Sequence, residues 1–347
     1  MGSIPKELGD LKFQATIGDG AFSVVKLAKN LKTGKYSAVK IVPKARLNSQ
    51  NLEIRFETEI RVNQQLHHPG IVEMQNFMSD SSNYYIVMEF CPNGELFQHI
   101  IDQGHLNDSE AQPIFYQLLD SINYIHSMGV SHRDLKPENL LFDNFGRIKI
   151  SDFGLSRFVS SENLVATPCG SPCYASPECL SGRPYNGITS DMWSCGVILY
   201  AMLTGQLPWT KRNQTELFRQ IRSGDYTIPN FVSPEGKALI QGLMTVNISK
   251  RLTAEQALAQ PFFNGVTAQY PHPFLPRLIS LKRVDMAFAK QCDMSSLKDI
   301  PKKANKSTPA FSLKKTTKLI KNKKSHKKGE KTEEHKHHHH HHKHGKN

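Results

Sequence analysis

The sequence has no apolar run close to the roughly 18 residues that a membrane-spanning helix needs. Its first ten residues, MGSIPKELGD, lack the basic start and apolar core of a signal peptide, and Lys6 stands where N-myristoylation requires Ser or Thr. The six cysteines show no paired spacing, which is typical of free thiols in a reducing compartment. We therefore expect a cytoplasmic protein, with an additional nuclear location as the alternative.

Most of the chain also lacks net charge. The formal net charge is +13, but residues 297–347 contain 16 Lys, no Arg and four acidic residues, which gives +12 for this segment and leaves about +1 for residues 1–296. The chain is therefore a nearly neutral body followed by a cationic tail. Because the Lys- and His-rich segment 301–347 cannot bury enough apolar surface to offset its chain entropy, we expect it to be disordered.

Residues 11–90 have the pattern of a small antiparallel sheet with one helix. Five short stretches alternate apolar and polar residues, and one polar stretch, Asn51–Leu66, has its apolar residues at irregular helical spacing. The predicted strands are Phe13–Ile17, Val24–Ala28, Ser37–Val42, Ile71–Phe77 and Tyr84–Phe90. The apolar residues of the predicted helix are Ile54, Ile60, Val62 and Leu66.

Residues 91–263 have mainly helical patterns. The stretch Ser109–His126 carries its apolar residues on one face, and Asp108 or Ser109 can serve as its N-cap. The stretch Asp191–Leu203 is apolar on nearly all sides and predicts a buried core helix. Periodicity fades afterwards, so residues 264–300 are assigned to a C-terminal extension with a regulatory role as one candidate.

A glycine-rich stretch joins the first two predicted strands, with Gly18, Gly20 and Ser23 at its turn. Glycines let backbone N–H groups approach phosphates without interference from a β-carbon. A dinucleotide-binding fingerprint is one alternative, but it requires a third glycine and a following helix. A plain hairpin turn is the other.

Two charged residues follow the glycine-rich stretch. Lys40 lies on the third predicted strand, 22 residues after Gly18, and Glu59 lies 19 residues later on the predicted helix. An ion pair between this strand and this helix can direct an ammonium group toward phosphates. Each residue alone is common in proteins. Their order after the glycine-rich stretch is what makes them candidates for a phosphate-binding ion pair.

The most specific stretch is SHRDLKPEN at residues 131–139. Asp134 can accept a proton from a hydroxyl group, Lys136 can neutralise a migrating phosphoryl group, and Asn139 can supply an oxygen ligand to Mg²⁺. Asp152 opens a second motif, DFG, thirteen residues after Asn139 and directly behind a predicted strand. A carboxylate there can hold Mg²⁺ against nucleotide phosphates.

These motifs, in this order, resemble the signature series of eukaryotic protein kinases. The resemblance covers residues 11–263, nearly three quarters of the chain. It implies an α+β bilobal fold, with a small antiparallel β-sheet N-lobe with one helix at 11–90, a larger, mainly α-helical C-lobe at 91–263, and ATP in the cleft. It further implies transfer of the γ-phosphoryl group to protein substrates, with Mg²⁺ as the metal and Mn²⁺ as a possible substitute.

The resemblance also implies roles for individual residues. Lys40 would contact the α- and β-phosphates, Asp134 would be the catalytic base with Lys136 beside it, and Asn139 and Asp152 would hold the magnesium ions. Residues 87–91 resemble the hinge that binds adenine, with Met88 as its gatekeeper. The implied nucleotide-binding residues are Ile17, Gly18, Asp19, Gly20, Ala21, Phe22, Ser23, Val24, Val25, Ala38, Lys40, Glu59, Met88, Glu89, Cys91 and Glu95.

The finer motifs resemble the Ser/Thr kinases of the calcium/calmodulin-dependent group, and among them the AMP-activated kinase-like branch. That likeness implies that an upstream kinase phosphorylates Thr167 and that Arg133 then pairs with the phosphate. It also implies that Glu178 pairs with Arg251. The alternative is that Thr167 is only an exposed loop hydroxyl. No EF-hand loop occurs in the sequence, so control by calcium would need a partner.

Two carboxylates predict the substrate preference. Glu95 and Glu138 match positions that, in kinases with basic specificity, receive an arginine two or three residues before the target Ser or Thr. Bidentate pairing between guanidinium and carboxylate gives this contact its selectivity. The alternative is that Glu95 contacts only the ribose and Glu138 only solvent.

Three residues depart from the kinase pattern. Ser23 replaces the third glycine of the loop, and Ser176 replaces the usual Ala before Pro-Glu. Asn63 stands four residues after Glu59, where the family usually has an apolar residue. Asn63 either finds a hydrogen bond or weakens the active arrangement. An active kinase and a pseudokinase scaffold therefore both remain, and the complete set of catalytic residues favours the first.

The tail has three candidate partners: acidic lipid, nucleic acid and the kinase domain itself. Its lysines alternate with a few apolar residues, and no aromatic pattern favours specific nucleic-acid recognition. The run His337–His342 is flanked by further His and Lys, which is typical of a native His/Lys-rich segment rather than a tag. Residues 276–290 have irregular spacing, and calmodulin binding is not expected there.

Overall fold

The computed structural model describes residues 4–20, 22–47, 49–158 and 170–266. Within these ranges, no helix combines the length and the apolar composition that crossing a membrane requires. Ala21, Thr167, the extension from residue 267 onward and the tail lie outside the described residues. The predictions made for them are therefore untested by the fold.

A six-stranded antiparallel sheet forms the small lobe, in the order β1-β2-β3-β4-β6-β5. Its middle strands carry the apolar alternation seen in the sequence, and their inward residues form two compact clusters on the two faces of the sheet. The predicted small antiparallel sheet is confirmed. The strands are β1 (Glu7–Leu8), β2 (Leu11–Asp19), β3 (Val24–Asn30), β4 (Tyr36–Pro43), β5 (Met74–Ser79) and β6 (Asn83–Glu89).

Helix α1 (Gln50–Gln65) connects the two lobes. Ser49 caps it by accepting a hydrogen bond from the N–H of Leu52. Phe56 and Ile60 pack into a small-lobe cluster, whereas Val62 belongs to the large-lobe core. Ile54, one of the apolar residues of the predicted helix, is 48% exposed. The polar composition of α1 leaves only a narrow apolar stripe, and Ile54 falls outside it.

Helices packed around one extended core form the large lobe. The core includes residues from α2, α3, α4, α6 and the short strands of the lobe, and Trp193 is its largest fully buried side chain. The helices are α2 (Leu96–Gln103), α3 (Asp108–Ser127), α4 (Gly187–Thr204), α5 (Gln214–Ser223), α6 (Pro234–Leu243) and α7 (Ala254–Leu258). The mainly helical C-lobe is thus confirmed.

The boundaries of two helices differ from the sequence prediction. Asn107 caps α3, and Glu110 completes a capping box by bonding back to the N–H of Asn107; the predicted caps Asp108 and Ser109 were wrong by one or two residues. Helix α4 is buried along almost its whole length, as predicted, but begins at Gly187 behind the cap Asn186.

Two small β-ribbons place the motif-bearing loops of the large lobe. Strand β7 (Val130–Ser131) pairs with β10 (Arg157–Phe158), and β8 (Leu140–Phe142) pairs with β9 (Ile148–Ile150). The SHRDLKPEN stretch therefore spans β7, the following loop and a 3₁₀ turn before β8, and DFG lies between β9 and β10.

The fourth predicted small-lobe strand starts later than expected. It begins at Met74, whereas Ile71 makes an isolated parallel bridge with Ile150 of β9. The apolar run 71–77 therefore has two uses: its end belongs to the small-lobe sheet and its beginning joins that sheet to the large lobe. Alternation alone could not separate these two pairings.

Candidate active site

The glycine-rich stretch forms the tight loop between β2 and β3. Gly18 lies opposite Val25 in the register, and the N–H of Gly20 donates to the carbonyl of Ser23 at 2.8 Å. Because a strand follows, the dinucleotide-fingerprint alternative is wrong. The described loop residues are exposed (Ile17, Asp19, Gly20, Phe22) or half-buried (Gly18, Ser23, Val24, Val25).

Lys40 lies in the middle of β4, between strands β3 and β6. Its Nζ is 2.5 Å from Oε1 of Glu59 on α1 and 3.8 Å from Oδ1 of Asp152. Burial alone would lower the pKa of Lys40, but the carboxylates of Glu59 and Asp152 outweigh this effect and raise it. The predicted ion pair between strand and helix is present, and Lys40 remains a cation.

The DFG motif adopts an unusual backbone at Asp152. Its φ is +61°, in the left-handed region that non-glycine residues rarely occupy. Phe153 is buried against the ring of His132 at a centroid distance of 4.9 Å. The turn thus directs the aromatic ring into the core and the carboxylate into the cleft, 3.8 Å from Lys40.

Asp134 is held from several sides. Lys136 Nζ lies 2.6 Å from its Oδ2, Asn139 Nδ2 donates to its backbone carbonyl at 2.8 Å, and the N–H of Ser171 donates to its Oδ1 at 3.1 Å. The side chain is buried, and the Lys136 bonded to it also lies near Asp152, since its charge lowers the pKa of that carboxyl group. The arrangement can orient a carboxylate toward an incoming hydroxyl group.

Asp191 of α4 supports this loop and was not identified from the sequence as a residue of the site. Its carboxylate accepts hydrogen bonds from the N–H groups of His132 and Arg133, both at 2.8 Å, and lies 2.9 Å from His126 Nε2. Arg133 has φ +69°, so these bonds hold a strained backbone in place. An Asp inside an otherwise apolar helix was the available signal, since a buried carboxylate needs partners.

The donor set of the cleft fits a hydrated magnesium ion. Because the amide nitrogen of Asn139 is bonded to Asp134, its Oδ1 is the oxygen left to act as a ligand. Burial would raise the pKa of Asp152, but Lys40 and His132 outweigh it and lower the pKa, so the carboxylate stays ionised. No cluster of three or more His, Cys, Asp or Glu suited to a metal occurs among the described residues. Two oxygen donors suffice for Mg²⁺, which takes further oxygens from water and phosphate.

Residues 87–91 lead from β6 toward the large lobe. Met88 lies opposite Ala38 of β4 in the register, and Glu89 is held by Lys149 of β9, whose Nζ is 2.7 Å from Glu89 Oε2. Burial, followed by the nearby Glu89, raises the pKa of Cys91 to about 12. Lys149 was missed from the sequence because a lysine on a short strand usually faces solvent, whereas this one is buried.

Glu95 and Glu138 lie close enough together for the charge of Glu95 to act on Glu138. Glu95 is exposed at the start of α2 and bridges to Leu141 of β8, two residues after the turn that carries Glu138. The Oε2 atom of Glu138 is buried and has no hydrogen-bond partner among the described residues. Burial raises the pKa of Glu138, and the charges of Glu95 and Asp134 add to this, against the opposite effect of Lys136.

The Arg133 side chain lies at the beginning of the segment that leads to Thr167. Its guanidinium donates to the carbonyl of Leu155 at 3.2 Å and to the hydroxyl of Tyr185 at 3.3 Å. Thr167 itself is outside the described residues, so the predicted pairing is untested. Tyr185 was not identified from the sequence as a partner of this arginine.

The second predicted ion pair joins Glu178 and Arg251. The two guanidinium nitrogens lie 2.5 and 3.0 Å from the two carboxylate oxygens, and Arg251 also donates to the carbonyls of Thr245 and Thr189. The guanidinium covers the ring of Trp193. This predicted pair is present and forms part of the large-lobe core.

Two of the residues that depart from the kinase pattern have partners. Asn63 Nδ2 donates to the carbonyl of Glu59 at 3.0 Å. Ser176 is fully buried, and its hydroxyl lies 2.8 Å from that of Ser190 on α4 and accepts from the N–H of Cys179. Asn63 therefore has the hydrogen bond that would make it compatible with its position.

Comparisons with known proteins agree with this geometry. Residues 11–263 match the model of the family described as "Protein kinase domain". The chain is 42% identical over 259 residues to CBL-interacting serine/threonine-protein kinase 1 of Arabidopsis thaliana, covering 74% of this chain and 58% of that protein. It is 39% identical over 258 residues to SNF1-related protein kinase catalytic subunit alpha KIN12 of the same plant, covering 74% of this chain and 52% of that protein.

A third relative gives the same result. CBL-interacting serine/threonine-protein kinase 3 of Arabidopsis thaliana is 38% identical over 263 residues, covering 75% of this chain and 60% of that protein. The chain thus spans between half and three fifths of the length of these relatives.

Proposed function

The chain belongs to the protein kinase family, in the Ser/Thr branch that includes the AMP-activated kinase-like enzymes, and we propose that it transfers the γ-phosphoryl group of ATP to Ser and Thr residues of proteins. One observation carries this proposal. Lys40 lies 2.5 Å from Glu59 and 3.8 Å from Asp152, in the same cleft as Asp134 with its bound Lys136 and Asn139. A pseudokinase scaffold would not require all of these groups to converge.

In the proposed reaction, the hydroxyl oxygen of the substrate forms a bond to the γ-phosphorus, and the bond from that phosphorus to the β,γ-bridging oxygen breaks to release ADP. Asp134 accepts the hydroxyl proton. Lys136 and Lys40 stabilise negative charge on the transferred and remaining phosphates. Asn139 and Asp152 would hold Mg²⁺, which supplies charge neutralisation at the phosphate oxygens.

The first experiment measures phosphate transfer from Mg-ATP to an arrayed Ser/Thr peptide library, with Asp134→Asn as a matched control. Asn has the shape of Asp but cannot accept the proton, so transfer should fall by about 10² to 10⁴ while ATP binding persists. An intact chain that binds ATP but phosphorylates nothing, before and after treatment with an activating kinase, would favour the scaffold instead.

We further infer a preference for arginine two or three residues before the target. Support comes from Glu138, whose buried Oε2 has no hydrogen-bond partner among the described residues, and from Glu95 near the same turn. A guanidinium group would supply donors to both carboxylates. Replacing Glu138 by Gln should reduce kcat/KM for peptides with upstream Arg about tenfold or more and leave peptides without it nearly unchanged. Equal losses for both peptides would contradict the assignment.

We also infer that phosphorylation of Thr167 by an upstream kinase raises activity. Arg133 supports this, because it combines a backbone fixed by Asp191 with a guanidinium near the start of the segment. A phosphate would order the segment through charge-assisted hydrogen bonds. Activation by an upstream kinase should disappear in Thr167→Ala and in Arg133→Gln, whereas both variants should keep the basal rate. Activation that persists in Thr167→Ala would place the regulatory site elsewhere.

A further inference from the structure

Charge is distributed very unevenly along the chain. Residues 62–132, which include α2 and α3, contain eight Asp and Glu but no Lys or Arg. Residues 179–225, which include α4 and α5, contain five Lys and Arg and three Asp and Glu, one of which, Asp191, is buried. Residues 62–132 are therefore acidic overall, and the region around α5 is basic.

The basic residues form one surface, which we call the α5 basic surface. Arg222 donates through Nε and Nη2 to the carbonyl of Leu180, at 3.1 and 2.6 Å, which brings α5 against the turn that precedes Arg183. The N–H of Lys211 is 3.3 Å from the side chain of Gln220 on α5. The members of this surface are Arg183, Lys211, Arg212, Arg219 and Arg222.

These cations are exposed and without carboxylate partners. Each is solvent-exposed, and none makes an ion pair with any Asp or Glu in the part of the chain that the structure describes. Arg219 and Arg222 lie three positions apart and so share one face of α5. Glu216 and Asp225 are the acidic residues at the two ends of this helix. The local excess of positive charge is therefore not neutralised by the fold.

The α5 basic surface is connected to the catalytic loop by a continuous segment. The N–H of Ser171 bonds Asp134, and the carbonyl of Cys173 accepts from Nε1 of Trp209 at 2.7 Å. The segment then passes through the 3₁₀ turn Cys179–Ser181, against which Arg222 is bonded. A polypeptide lying along this segment would leave Asp134 in the direction of α5.

We propose that the α5 basic surface binds acidic residues that follow the phosphorylated Ser or Thr in the substrate. The inference rests on the proposed kinase function and its upstream arginine: if Glu95 and Glu138 receive residues before the target, residues after it reach the opposite end of the cleft. Opposite charges at the two ends would select substrates with a basic segment before the target and an acidic one after it. The same charges would also fix the direction of binding, because a reversed peptide would meet like charges at both ends.

The experiment uses the full chain and three sets of peptides with the same upstream Arg and target Ser. Residues downstream of the target are neutral in the reference set, carry Asp or Glu scanned across six positions in the second, and carry Lys there in the third. The acidic peptides should show kcat/KM about three- to tenfold above the reference, because each exposed charge pair contributes a factor of roughly 1.4 to 5. The advantage should shrink as salt is added.

A charge-reversed variant distinguishes recognition from a general effect on the fold. In Lys211→Glu/Arg219→Glu the acidic peptides should lose their advantage and the Lys peptides should gain one, whereas the reference peptide should be unaffected. The matched control is Lys250→Glu, which reverses an exposed charge beyond α6. This variant should still have its highest kcat/KM for the acidic peptides. Within the described residues, Lys211 and Arg219 take part in hydrogen bonds through their backbone and not through their side chains.

Peptide binding decides the proposal even if catalysis fails. Fluorescence anisotropy on the Asp134→Asn variant should show tighter binding of acidic than of reference peptides. No transfer to the reference peptide would contradict the proposed function alone. Equal binding and equal kcat/KM for acidic and reference peptides would overturn the α5 proposal alone. The α5 proposal would also be overturned if Lys211→Glu/Arg219→Glu lost binding to phosphatidylserine vesicles or to DNA but still preferred acidic peptides over reference and Lys peptides.

Discussion

Each lobe contains a buried ion pair, and the two pairs are built differently. In the large lobe, Arg251 binds both oxygens of Glu178 and two backbone carbonyls, and its side chain is 1% exposed. In the small lobe, Lys40 has one close contact, to Glu59, and its side chain is 19% exposed on the cleft. The large-lobe pair uses its hydrogen-bonding groups within the fold, whereas the small-lobe pair leaves ammonium donors directed into the cleft.

This difference separates a structural ion pair from one that is ready to bind a ligand. A buried charge with all of its hydrogen bonds made inside the protein contributes to the fold. A charge that is positioned but incompletely bonded can stabilise negative charge on a bound phosphate without prior reorganisation. The comparison predicts that matched substitutions in the two pairs have opposite consequences, one on activity and one on stability.

The largest effect is expected for Lys40→Arg. Arginine keeps the positive charge beside Glu59, so the free energy of unfolding should change by less than about 1 kcal/mol. The guanidinium is planar and larger than an ammonium group, so its donors would lie elsewhere relative to the phosphates. Phosphate transfer should fall by about 10² or more. Measured kcat together with urea unfolding tests this; a variant that keeps its activity would show that Lys40 only balances the charge of Glu59.

Arg251→Lys is the matched substitution in the large lobe. A lysine ammonium cannot reach both oxygens of Glu178 and the carbonyls of Thr245 and Thr189 together. Buried acceptors left without donors cost about 1 to 3 kcal/mol each, so the free energy of unfolding should fall by that order. The activity of the protein that remains folded should be preserved. A stable but inactive Arg251→Lys protein would contradict the structural role.

Sequence motifs predicted the residues of the site better than the bonds that hold them. The order of Lys40, Glu59, Asp134 and Asp152 predicted their convergence because chemistry at phosphates requires these residue types. The hydrogen bonds of Asp191 to the strained loop at Arg133 were not predictable, because they join residues 58 and 59 positions apart through the tertiary fold.

Local sequence does not show tertiary partners, and this also explains the wrong boundaries predicted for one helix and one strand. Asn107 rather than Asp108 or Ser109 caps α3, because all three side chains suit a cap and only the backbone decides between them. The run 71–77 was predicted as one strand, since alternation cannot reveal that Ile71 pairs with β9 and Met74 with β6. Local pattern identifies the type of an element, whereas its partners depend on distant residues.

An intermediate effect is expected for the pH dependence of arginine selection. Unlike Lys40, which is bonded to Glu59, Glu138 has an atom, Oε2, without a hydrogen-bond partner among the described residues. Burial raises the pKa of Glu138, so its carboxylate gains a proton at a higher pH than an ordinary glutamate. Protonation removes the charge that attracts arginine, and the preference for upstream Arg should therefore decline as the pH falls through this raised pKa.

The measurement is the ratio of kcat/KM for peptides with and without upstream Arg, followed from about pH 8 to about pH 5. Using a ratio cancels the effects of pH on catalysis itself. In Glu138→Gln the ratio should be small and independent of pH. If wild type and Glu138→Gln show the same pH profile, the arginine is bound by another group.

The smallest effect is expected for Asn63→Leu. In contrast to Glu138, Asn63 is a polar residue whose side chain already has a hydrogen-bond partner within the fold. Asn63 donates to the carbonyl of Glu59, and in a helix that carbonyl also accepts the backbone N–H four residues later. Removing the amide therefore leaves no buried acceptor unbonded. Leucine adds apolar surface at a half-buried position, so the free energy of unfolding should rise by about 0.5 to 1 kcal/mol.

Because the Asn63 hydrogen bond is local to α1, basal phosphate transfer in Asn63→Leu should change by less than about threefold before Thr167 is phosphorylated. The rate of transfer to a peptide with upstream Arg measures this directly, and Gln65→Leu, at the exposed end of the same helix, controls for a general effect of added apolar surface. An increase of tenfold or more in Asn63→Leu alone would show that this side chain restrains the enzyme. A residue whose hydrogen bond is made within the fold could then still control activity. The number of hydrogen bonds would not be enough to separate a structural ion pair from a ligand-binding one, and the position of α1, which carries both Glu59 and Asn63, would also have to be known.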